Sequence, residues 1–369
     1  MRARKRVTQL PQAGREQARK LVLAYGWNAT AYQILNPGID LWFPADRSAV
    51  VGYVRRGSTR VVAGAPVCAL SELDDVADQF IRDAHDRGEH VCYFGAGDRL
   101  DAKYNADAEW SRVLLGAQPS WNPKAWPQAV ARRASLRAQF NRARNKDVRI
   151  LEWASAEAEN HPALRRCLAE WLESRGLPPL HFLVEPETLS NLGDRRVFVA
   201  TRGGHAVVAF TVLSPVPARN GWLVEQIVRG RAAPNGTAEL VLDYAVKAVA
   251  TSGASYVTLG LSPLSQRADA AVTGQPMWLR FTLRWVRLHG ARFYNFGGLD
   301  AFKAKFNPER WEPIYAISEG RTFPPRALYA IAGAFSGGNP IKLVIVALVG
   351  AIKNEFGRLL RRVRRPLAK

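Results

Sequence analysis

The chain has few cysteines and few acidic residues for its size. Its three cysteines lie far apart among 369 residues with no C-x-x-C spacing, which argues against a disulfide framework or a zinc ribbon and favours a reducing cytoplasm. Hydrophobic residues make up 47% of the chain, which excludes disorder as its dominant state. Acidic residues number 32 against 52 Lys and Arg, so the formal net charge is +20. This excess favours a polyanionic partner: nucleic acid, an anionic membrane surface or a phosphate-bearing substrate.

The motifs of several enzyme classes are also missing. The six histidines show no H-E-x-x-H or similar metal-binding spacing, and we predict no metal site. There is no G-x-S-x-G nucleophile elbow and no G-x-x-x-x-G-K-[ST] phosphate loop. The glycine-rich turn at 94–98 lacks the third glycine of the dinucleotide fingerprint, so we interpret it as structural.

The positive charge is concentrated in three segments: the first twenty residues, a mid-chain segment over 132–149, and the C-terminal tail. In the mid-chain segment, Leu136, Phe140 and Ala143 recur at helical spacing, which predicts a basic amphipathic helix. A solvated surface is the simplest interpretation of such a segment, and a nucleic-acid backbone is the functional one.

The longest apolar segment, at 341–352, is too short to span a bilayer, which needs about twenty residues. A second apolar stretch at 327–335 is separated from it by the helix-breaking sequence SGGNP, and a strongly basic stretch begins at 357. This arrangement predicts an interfacial anchor on an anionic leaflet. A pair of helices packed on the body of the protein is the alternative.

Hydrophobic patterns predict two similar α/β modules. In the first, strands and a helix occur in the order strand, strand, strand, helix, strand, at 39–43, 48–54, 59–67, 74–87 and 90–95. Residues 119–127 are predicted to form a loop. In the second, a helix at 157–174 precedes a hairpin at 196–213, a strand at 222–228 and a helix at 238–252. A strand at 256–261, an amphipathic helix at 276–289 and a last strand at 314–317 follow.

This pattern predicts an α+β fold in which a basic helix joins two modules. The predicted units are a basic N-terminal segment, a first domain, a basic linker helix, a second domain with the catalytic site, and an apolar and basic interfacial tail, at 1–20, 21–128, 129–150, 151–320 and 321–369.

The sequence PNGT at 234–237 follows a strand that ends at Arg229 and precedes a helix. The free N–H groups at the start of that helix predict an anion-binding site at Asn235, Gly236 and Thr237. Gly236 would let the backbone approach a phosphate closely, and Arg229 would add contacts to it. An ordinary capped helix, with Glu239 in its first turn, is the alternative.

A second motif, at 293–315, mixes lysines and aromatic residues, among them Lys303, Lys305 and Trp311. Charge combined with stacking predicts that it holds a nucleotide. A packed aromatic corner with two solvated lysines is the alternative.

These two motifs, with LGLSPL at 259–264 and YNFGG at 294–298, resemble the cytosolic catalytic region of the bacterial aminoacyl-phosphatidylglycerol synthases. This is the multiple peptide resistance factor or lysylphosphatidylglycerol synthetase family, and the resemblance spans about 33–318. It implies two tandem acetyltransferase-like (GNAT) domains joined by a basic helix. It also implies transfer of an amino acid from aminoacyl-tRNA, as co-substrate without a separate cofactor, to a hydroxyl of a membrane lipid such as phosphatidylglycerol. The flippase portion that often precedes this region in the family is not part of the chain, so we expect lipid synthesis without translocation.

The resemblance and the chemistry of ester transfer suggest roles for particular residues. The predicted catalytic residues are Glu225, Arg229, Glu239, Lys303 and Lys305. The predicted substrate-binding residues are Asn235, Gly236, Thr237, Asp243, Ser262, Tyr294 and Trp311. The predicted tRNA-binding residues of the basic helix are Arg132, Arg133, Arg137, Arg142, Arg144 and Lys146.

The chain departs from the family at Gln226, because an acidic residue is common three positions before the motif arginine. Glu225 is adjacent, but successive residues of a strand face opposite sides of the sheet, so the carboxylate that assists the hydroxyl stays open. Two alternatives to the transferase are a non-catalytic double-GNAT protein that binds RNA or membrane, and an acyl-CoA-dependent N-acyltransferase. We expect a cytoplasmic protein bound peripherally to the inner face of the cell membrane.

Overall fold

The structure is a computed structural model that describes residues 12–174, 181–268 and 296–337. Within these ranges the helices are α1 (Gln12–Tyr25), α2 (Leu73–His85), α3 (Asp98–Tyr104), α4 (Trp126–Ala131), α5 (Ala134–Arg144), α6 (Ser155–Ala158), α7 (Pro162–Glu173), α8 (Thr237–Thr251), α9 (Phe296–Ala304) and α10 (Pro325–Phe335). The strands are β1 (Asp40–Trp42), β2 (Val51–Arg56), β3 (Thr59–Ala63), β4 (His90–Ala96), β5 (Trp110–Trp121), β6 (Val148–Trp153), β7 (Arg196–Arg202), β8 (Ala206–Val216), β9 (Gly221–Arg229), β10 (Tyr256–Thr258), β11 (Ser262–Pro263) and β12 (Arg310–Glu319).

The two halves of the chain repeat one order of strands. In the first half, β1, β2 and β3 pair antiparallel, α2 follows, and β4 returns parallel to β3. In the second half, β7, β8 and β9 pair antiparallel, α8 follows, and β10 returns parallel to β9. The predicted α+β fold with two similar halves is therefore confirmed. Turns at Gly57 and at Gly203–Gly204 join the strand pairs β2–β3 and β7–β8, and all three glycines have positive φ, which suits tight hairpins.

All the described strands belong to one twelve-stranded sheet, in which the two halves exchange strands at the centre. The order along the sheet is β1-β2-β3-β4-β12-β5-β10-β9-β8-β7-β6, and β11 pairs with β5. The C-terminal strand β12 thus lies between β4 and β5 of the first half, while β5 pairs with β10 of the second half. The local pattern predicted a strand at 314–317 but assigned it to the second module, because sequence periodicity carries no information on which distant strand is its partner.

The basic helix is shorter than predicted. α5 ends at Arg144, and β6 begins at Val148, inside the segment predicted to be helical. Edge strand β6 alternates little in hydrophobicity, which hid it from the periodicity argument. Residues 119–127, predicted as a loop, instead complete β5 and begin α4. The predicted apolar face of the helix is confirmed, since Leu136, Phe140 and Ala143 are buried.

The first of the two apolar tail segments packs on the body of the protein. α10 lies against β2 and β3, and its buried face joins the core of the first half through Ala327, Ala330, Ile331 and Ala334. For this segment the observed arrangement is thus the packed alternative. The apolar and basic segment from 341 onward and the predicted helix at 276–289 lie outside the described residues. Among the helices that are described, none has the length and hydrophobicity to cross a bilayer.

Candidate functional site

A cavity of about 1000 Å³ lies where the two halves meet. The first half contributes side chains from the segments 27–36 and 94–98. The second contributes residues 223–227 of β9, 259–261 after β10 and three residues of α9, and strand β12 adds 312–314. Phe335, at the end of α10, completes the wall. The walls are mostly apolar, with a small number of polar groups, as is usual for a ligand site.

A β-bulge in β9 turns two adjacent polar residues toward this cavity. Val212 of β8 faces Gln226 and Leu213 faces Val224, so Glu225 is the extra residue of the bulge. Both Glu225 and Gln226 line the cavity. The expectation that they face opposite sides of the sheet is wrong here, because strict alternation holds only in an unbulged strand.

Glu225 is paired and almost fully buried. Its carboxylate lies 3.1 Å from the guanidinium of Arg195, and the two side chains are 7% and 1% exposed. Gln33 of the first half donates a second hydrogen bond to it. The Arg195 guanidinium also lies 4.7 Å from the ring centroid of Tyr32. Glu225 therefore helps to join the two halves and is not a free carboxylate.

Lys303 of α9 lines the cavity and is 4% exposed. Its Nζ donates to the backbone oxygens of Gly260 and Leu261 at 2.9 and 2.8 Å. Burial lowers the pKa of Lys303 to about 7, although the nearby carboxylate of Asp300 opposes that shift. A neutral lysine amine has two N–H groups, and these two carbonyls accept both, which leaves its lone pair available.

Arg219 and Glu312 form a further polar corner of the cavity, which the sequence argument did not select. The two side chains make a bidentate pair at 2.8 and 2.6 Å. Burial raises the pKa of Glu312, but hydrogen bonds and charge from Arg219 outweigh it and leave the pKa below its usual range. The Arg219 guanidinium also lies 3.6 Å from the ring centroid of Tyr256. The WEP motif at 311–313 pointed to this region but not to Arg219, which is 93 residues away.

The residues of the PNGT turn, 234–237, contact other parts of the protein in ways that account for this sequence. The amide and hydroxyl of Thr237 both donate to the carbonyl oxygen of Pro234. A Cβ on Gly236 would lie 2.1 Å from the backbone oxygen of Gln139, so the close approach that this glycine permits is to α5. Asn235 is exposed. An anion site at these three residues stays a prediction.

Three other predicted catalytic residues, Arg229, Glu239 and Lys305, are not among the residues that line the cavity. Glu239 and Lys305 pair with each other at 2.7 Å, beside the start of α8. Arg229 is exposed at the end of β9 and has no ion-pair partner among the described residues. Because side chains alternate along the strand beyond the bulge, Arg229 lies on the same face as the cavity-lining Ile227.

The remaining predicted substrate-binding residues have structural contacts. Asp243 is buried, accepts a hydrogen bond from the indole of Trp126 and pairs with Lys247. Ser262 donates to Asp300 at 3.2 Å, and Trp311 lies beneath the guanidinium of Arg267. None of the three lines the cavity. Tyr294 lies outside the described residues.

The six cations that were predicted to bind tRNA all lie at the protein surface. All are exposed, and none pairs with a carboxylate within the part of the chain that the structure describes: Arg132, Arg133, Arg137, Arg142, Arg144 and Lys146. α5 packs against α8 and touches Gly236, two residues before the cavity-lining Ala238. The helix that carries most of these cations therefore packs beside the start of α8, where Ala238 lines the cavity. Across the described ranges, no group of His, Cys, Asp and Glu side chains has a metal-binding arrangement.

Residues 19–318 match the model of the family described as phosphatidylglycerol lysyltransferase, C-terminal. The chain belongs to this family. The resemblance drawn from the motifs is thus confirmed.

Two relatives of the chain are named phosphatidylglycerol lysyltransferase. The chain is 24% identical over 315 residues to a phosphatidylglycerol lysyltransferase of Staphylococcus aureus (strain MRSA252), covering 82% of this chain and 35% of the relative. It is 24% identical over 282 residues to one of Bacillus subtilis (strain 168), covering 74% and 31%. The chain therefore spans about a third of the length of these curated relatives.

Two solved structures share the fold of this family member. One is the C-terminal domain of a lysylphosphatidylglycerol synthetase from Agrobacterium fabrum, with a TM-score of 0.74 and 22% identity, covering 89% of this chain and 98% of that one. The other is L-PGS from Bacillus licheniformis, with a TM-score of 0.70 and 20% identity, covering 90% and 95%.

Proposed function

We propose that the protein transfers an amino acid from aminoacyl-tRNA to a hydroxyl of a membrane lipid, with a phosphatidylglycerol-like lipid as the acceptor. The observation that carries this proposal is Lys303, a buried amine with a pKa of about 7 on the wall of a large, mostly apolar cavity. A base with a pKa near the working pH is suited to take a proton from an alcohol. Family membership supports the same reaction class.

The transfer needs no separate cofactor, because an aminoacyl ester is already activated. In the proposed step, the lone pair of neutral Lys303 accepts the proton of the lipid hydroxyl while that oxygen attacks the ester carbonyl carbon. The tetrahedral intermediate then collapses, the bond to the ribose oxygen breaks, and Lys303 returns the proton to that oxygen. The cavity contributes by aligning the two substrates and excluding water.

The basic segment around α5 is the proposed site for the tRNA. Exposed cations without acidic partners suit a phosphate backbone, and Gln139 of α5 touches the turn that leads into the cavity-lining Ala238. A tRNA held on this surface would have its acceptor end close to the cavity.

The apolar walls are the proposed site for the lipid. Phe335 lines the cavity, and the chain continues from there toward the apolar and basic residues after 340. We propose that this part of the protein rests on the anionic inner face of the cell membrane, so that a lipid headgroup reaches Lys303.

The test is transfer of a radiolabelled amino acid from a pool of charged tRNAs to phosphatidylglycerol vesicles, followed by lipid extraction. We expect labelled lipid with the wild-type protein. Lys303→Met should reduce transfer at least 100-fold, because general-base catalysis contributes about 10²–10⁴-fold.

The matched control is Lys20→Met, which removes an exposed lysine of α1 and should leave transfer unchanged. Circular dichroism should show that both variants are folded. Absence of labelled lipid with every amino acid would overturn the proposed function, and full activity of Lys303→Met would overturn the role of Lys303.

A further inference from the structure

Four residues that line the cavity have buried polar atoms without a hydrogen-bond partner. Among the residues that the structure describes, seven side-chain atoms are of this kind, and four of them belong to the cavity wall: Nδ2 of Asn28, Oγ1 of Thr30, Oε1 of Gln33 and Oε1 of Gln226. Buried polar groups in folded proteins are nearly always paired, because an unpaired one is unfavourable. We therefore examined which ligand would pair with these four atoms.

Asn28 and Thr30 are the first pair, and both can donate. A Cβ on Gly64 would lie 2.9 Å from Nδ2 of Asn28 and 3.0 Å from Oγ1 of Thr30, so both atoms lie beside the same backbone position after β3. An amide N–H and a threonine hydroxyl each donate a hydrogen bond. The first half of the chain thus offers two neighbouring donors.

Gln33 and Gln226 are the second pair, and both present acceptors. Nε2 of Gln33 donates to Ser214 and to Glu225, so its Oε1 is the free end of the amide. Nε2 of Gln226 donates to two backbone oxygens of the segment 185–186, which leaves its Oε1 free in the same way. Because Gln226 directly follows the Glu225 that Gln33 contacts, these two acceptors belong to one part of the wall.

A hydroxyl group is the chemical group that matches both pairs. It donates one hydrogen bond and accepts others, so it can bond to the donors of the first pair and to the acceptors of the second. An ammonium group has no acceptor for the first pair, and an ionised phosphate diester has no donor for the second. A small molecule with several hydroxyl groups would pair with all four atoms.

We infer that these four side chains form a subsite for a hydroxyl of the acceptor head group that does not itself react. In the proposed function the reacting hydroxyl enters the same cavity, which Lys303 also lines. A second hydroxyl held in the subsite fixes the orientation of the first and selects head groups with two hydroxyls over those with one. Three of the four residues belong to the first half of the chain, which thereby supplies selectivity for the acceptor. This inference rests on the proposed function and assigns its acceptor-recognition residues.

Binding of short-chain lipids to the full chain tests the subsite without requiring turnover. Dihexanoylphosphatidylglycerol has two head-group hydroxyls, whereas dihexanoylphosphatidylpropanediol keeps the phosphate and the terminal hydroxyl but lacks the central one. Isothermal titration calorimetry with monomeric lipid should give a Kd at least tenfold lower for the first lipid, because a site that hydrogen-bonds a hydroxyl rejects the analogue without it. Equal Kd values would overturn the inference.

The variant Thr30→Val removes one donor and leaves the protein's own hydrogen bonds intact, because Oγ1 of Thr30 has no partner in the described structure. It should reduce the preference for the two-hydroxyl lipid about tenfold without lowering the Tm. The matched control is Thr188→Val. The hydroxyl of Thr188 is also buried and unpaired within the described ranges, but Thr188 does not line the cavity, so this variant should keep the preference.

A second variant, Gln226→Met, removes an acceptor at nearly constant side-chain length and should reduce the same preference. If folded Thr30→Val and Gln226→Met proteins both retain the wild-type preference, the assigned residues are wrong.

A ribose also has neighbouring hydroxyls, so transfer assays distinguish the lipid from the end of the tRNA as the occupant. Transfer to phosphatidylpropanediol vesicles should be at least tenfold slower than to phosphatidylglycerol vesicles. A tRNA charged on a terminal deoxyadenosine, which lacks the free ribose hydroxyl, should support the normal rate. The opposite pattern would overturn the assignment to the lipid. Absence of labelled lipid in every assay, with preferential binding of dihexanoylphosphatidylglycerol, would reject the transferase while supporting the subsite.

Discussion

The environment of Lys303 shows how burial gives a common side chain an uncommon chemistry. In water its amine carries a charge at neutral pH, but the cavity wall removes that solvation, and Asp300 compensates for only part of the loss. The carbonyls of Gly260 and Leu261 bind its N–H groups and hold Nζ in one position. The sequence pointed to Lys303 as a charged residue in a motif predicted to hold a nucleotide, whereas its surroundings favour a neutral base.

Transfer should therefore rise with pH through about 7, the folded-state pKa of Lys303. The neutral amine is the reactive form, so the rate should increase about tenfold per pH unit below 7 and level off above it. Single-turnover transfer between pH 5.5 and 8.5 measures this profile, with ester hydrolysis in the absence of protein subtracted. A rate that falls over this range would exclude a neutral Lys303 as the base.

The same shift affects stability in a predictable direction. Between the folded pKa of about 7 and the unfolded value of 10.5, the unfolded chain binds more protons at Lys303 than the folded one. Below pH 7 the low pKa of Lys303 therefore lowers the free energy of unfolding by its full amount. This destabilisation decreases as the pH rises from 7 toward 10.5.

At the scale of elements, α5 has a buried apolar face and exposed basic residues. Leu136, Phe140 and Ala143 are buried and fix the helix against the second half, while its arginines are exposed. Because these arginines have no acidic partners among the described residues, their charge is available to a polyanion. Helical periodicity was sufficient to predict this arrangement, since both faces follow from residue spacing.

The triple variant Arg132→Gln, Arg142→Gln, Arg144→Gln should weaken tRNA binding without unfolding the protein. Loss of three phosphate contacts should reduce the slope of log Kd against log salt by roughly two to three. Filter binding from 50 to 300 mM salt measures that slope.

The matched control removes the same charge from exposed arginines elsewhere, with Arg47→Gln, Arg82→Gln and Arg166→Gln. If both triple variants change the slope equally, overall charge binds the tRNA and α5 has no special role.

At the scale of the whole molecule, the central exchange of β12 and β5 makes the halves depend on each other. Without β12, strands β4 and β5 lose their shared neighbour; without β5, strand β10 keeps one partner only. The Glu225–Arg195 pair also depends on both halves, because Gln33 and Tyr32 contact it from the first.

Neither residues 1–133 nor residues 134–369 should therefore fold alone. Each fragment would expose unpaired strand edges and part of its core. We expect narrow amide dispersion in the NMR spectrum of each fragment, and native-like dispersion when the two fragments are coexpressed. A well-dispersed spectrum from either isolated fragment would contradict this dependence.

The sequence by itself determined the local elements, the two repeated halves, the basic helix and the family, because periodicity, turn glycines and motifs act over a few residues. It also selected Glu225 and Lys303, which line the cavity. Tertiary structure alone decided that β12 enters the first half, that a bulge turns Glu225 and Gln226 to one side, and that Arg219 joins the site. The pKa of Lys303 and the pairing of the cavity carboxylates were decided there too, since desolvation and charge partners come from residues distant in the chain.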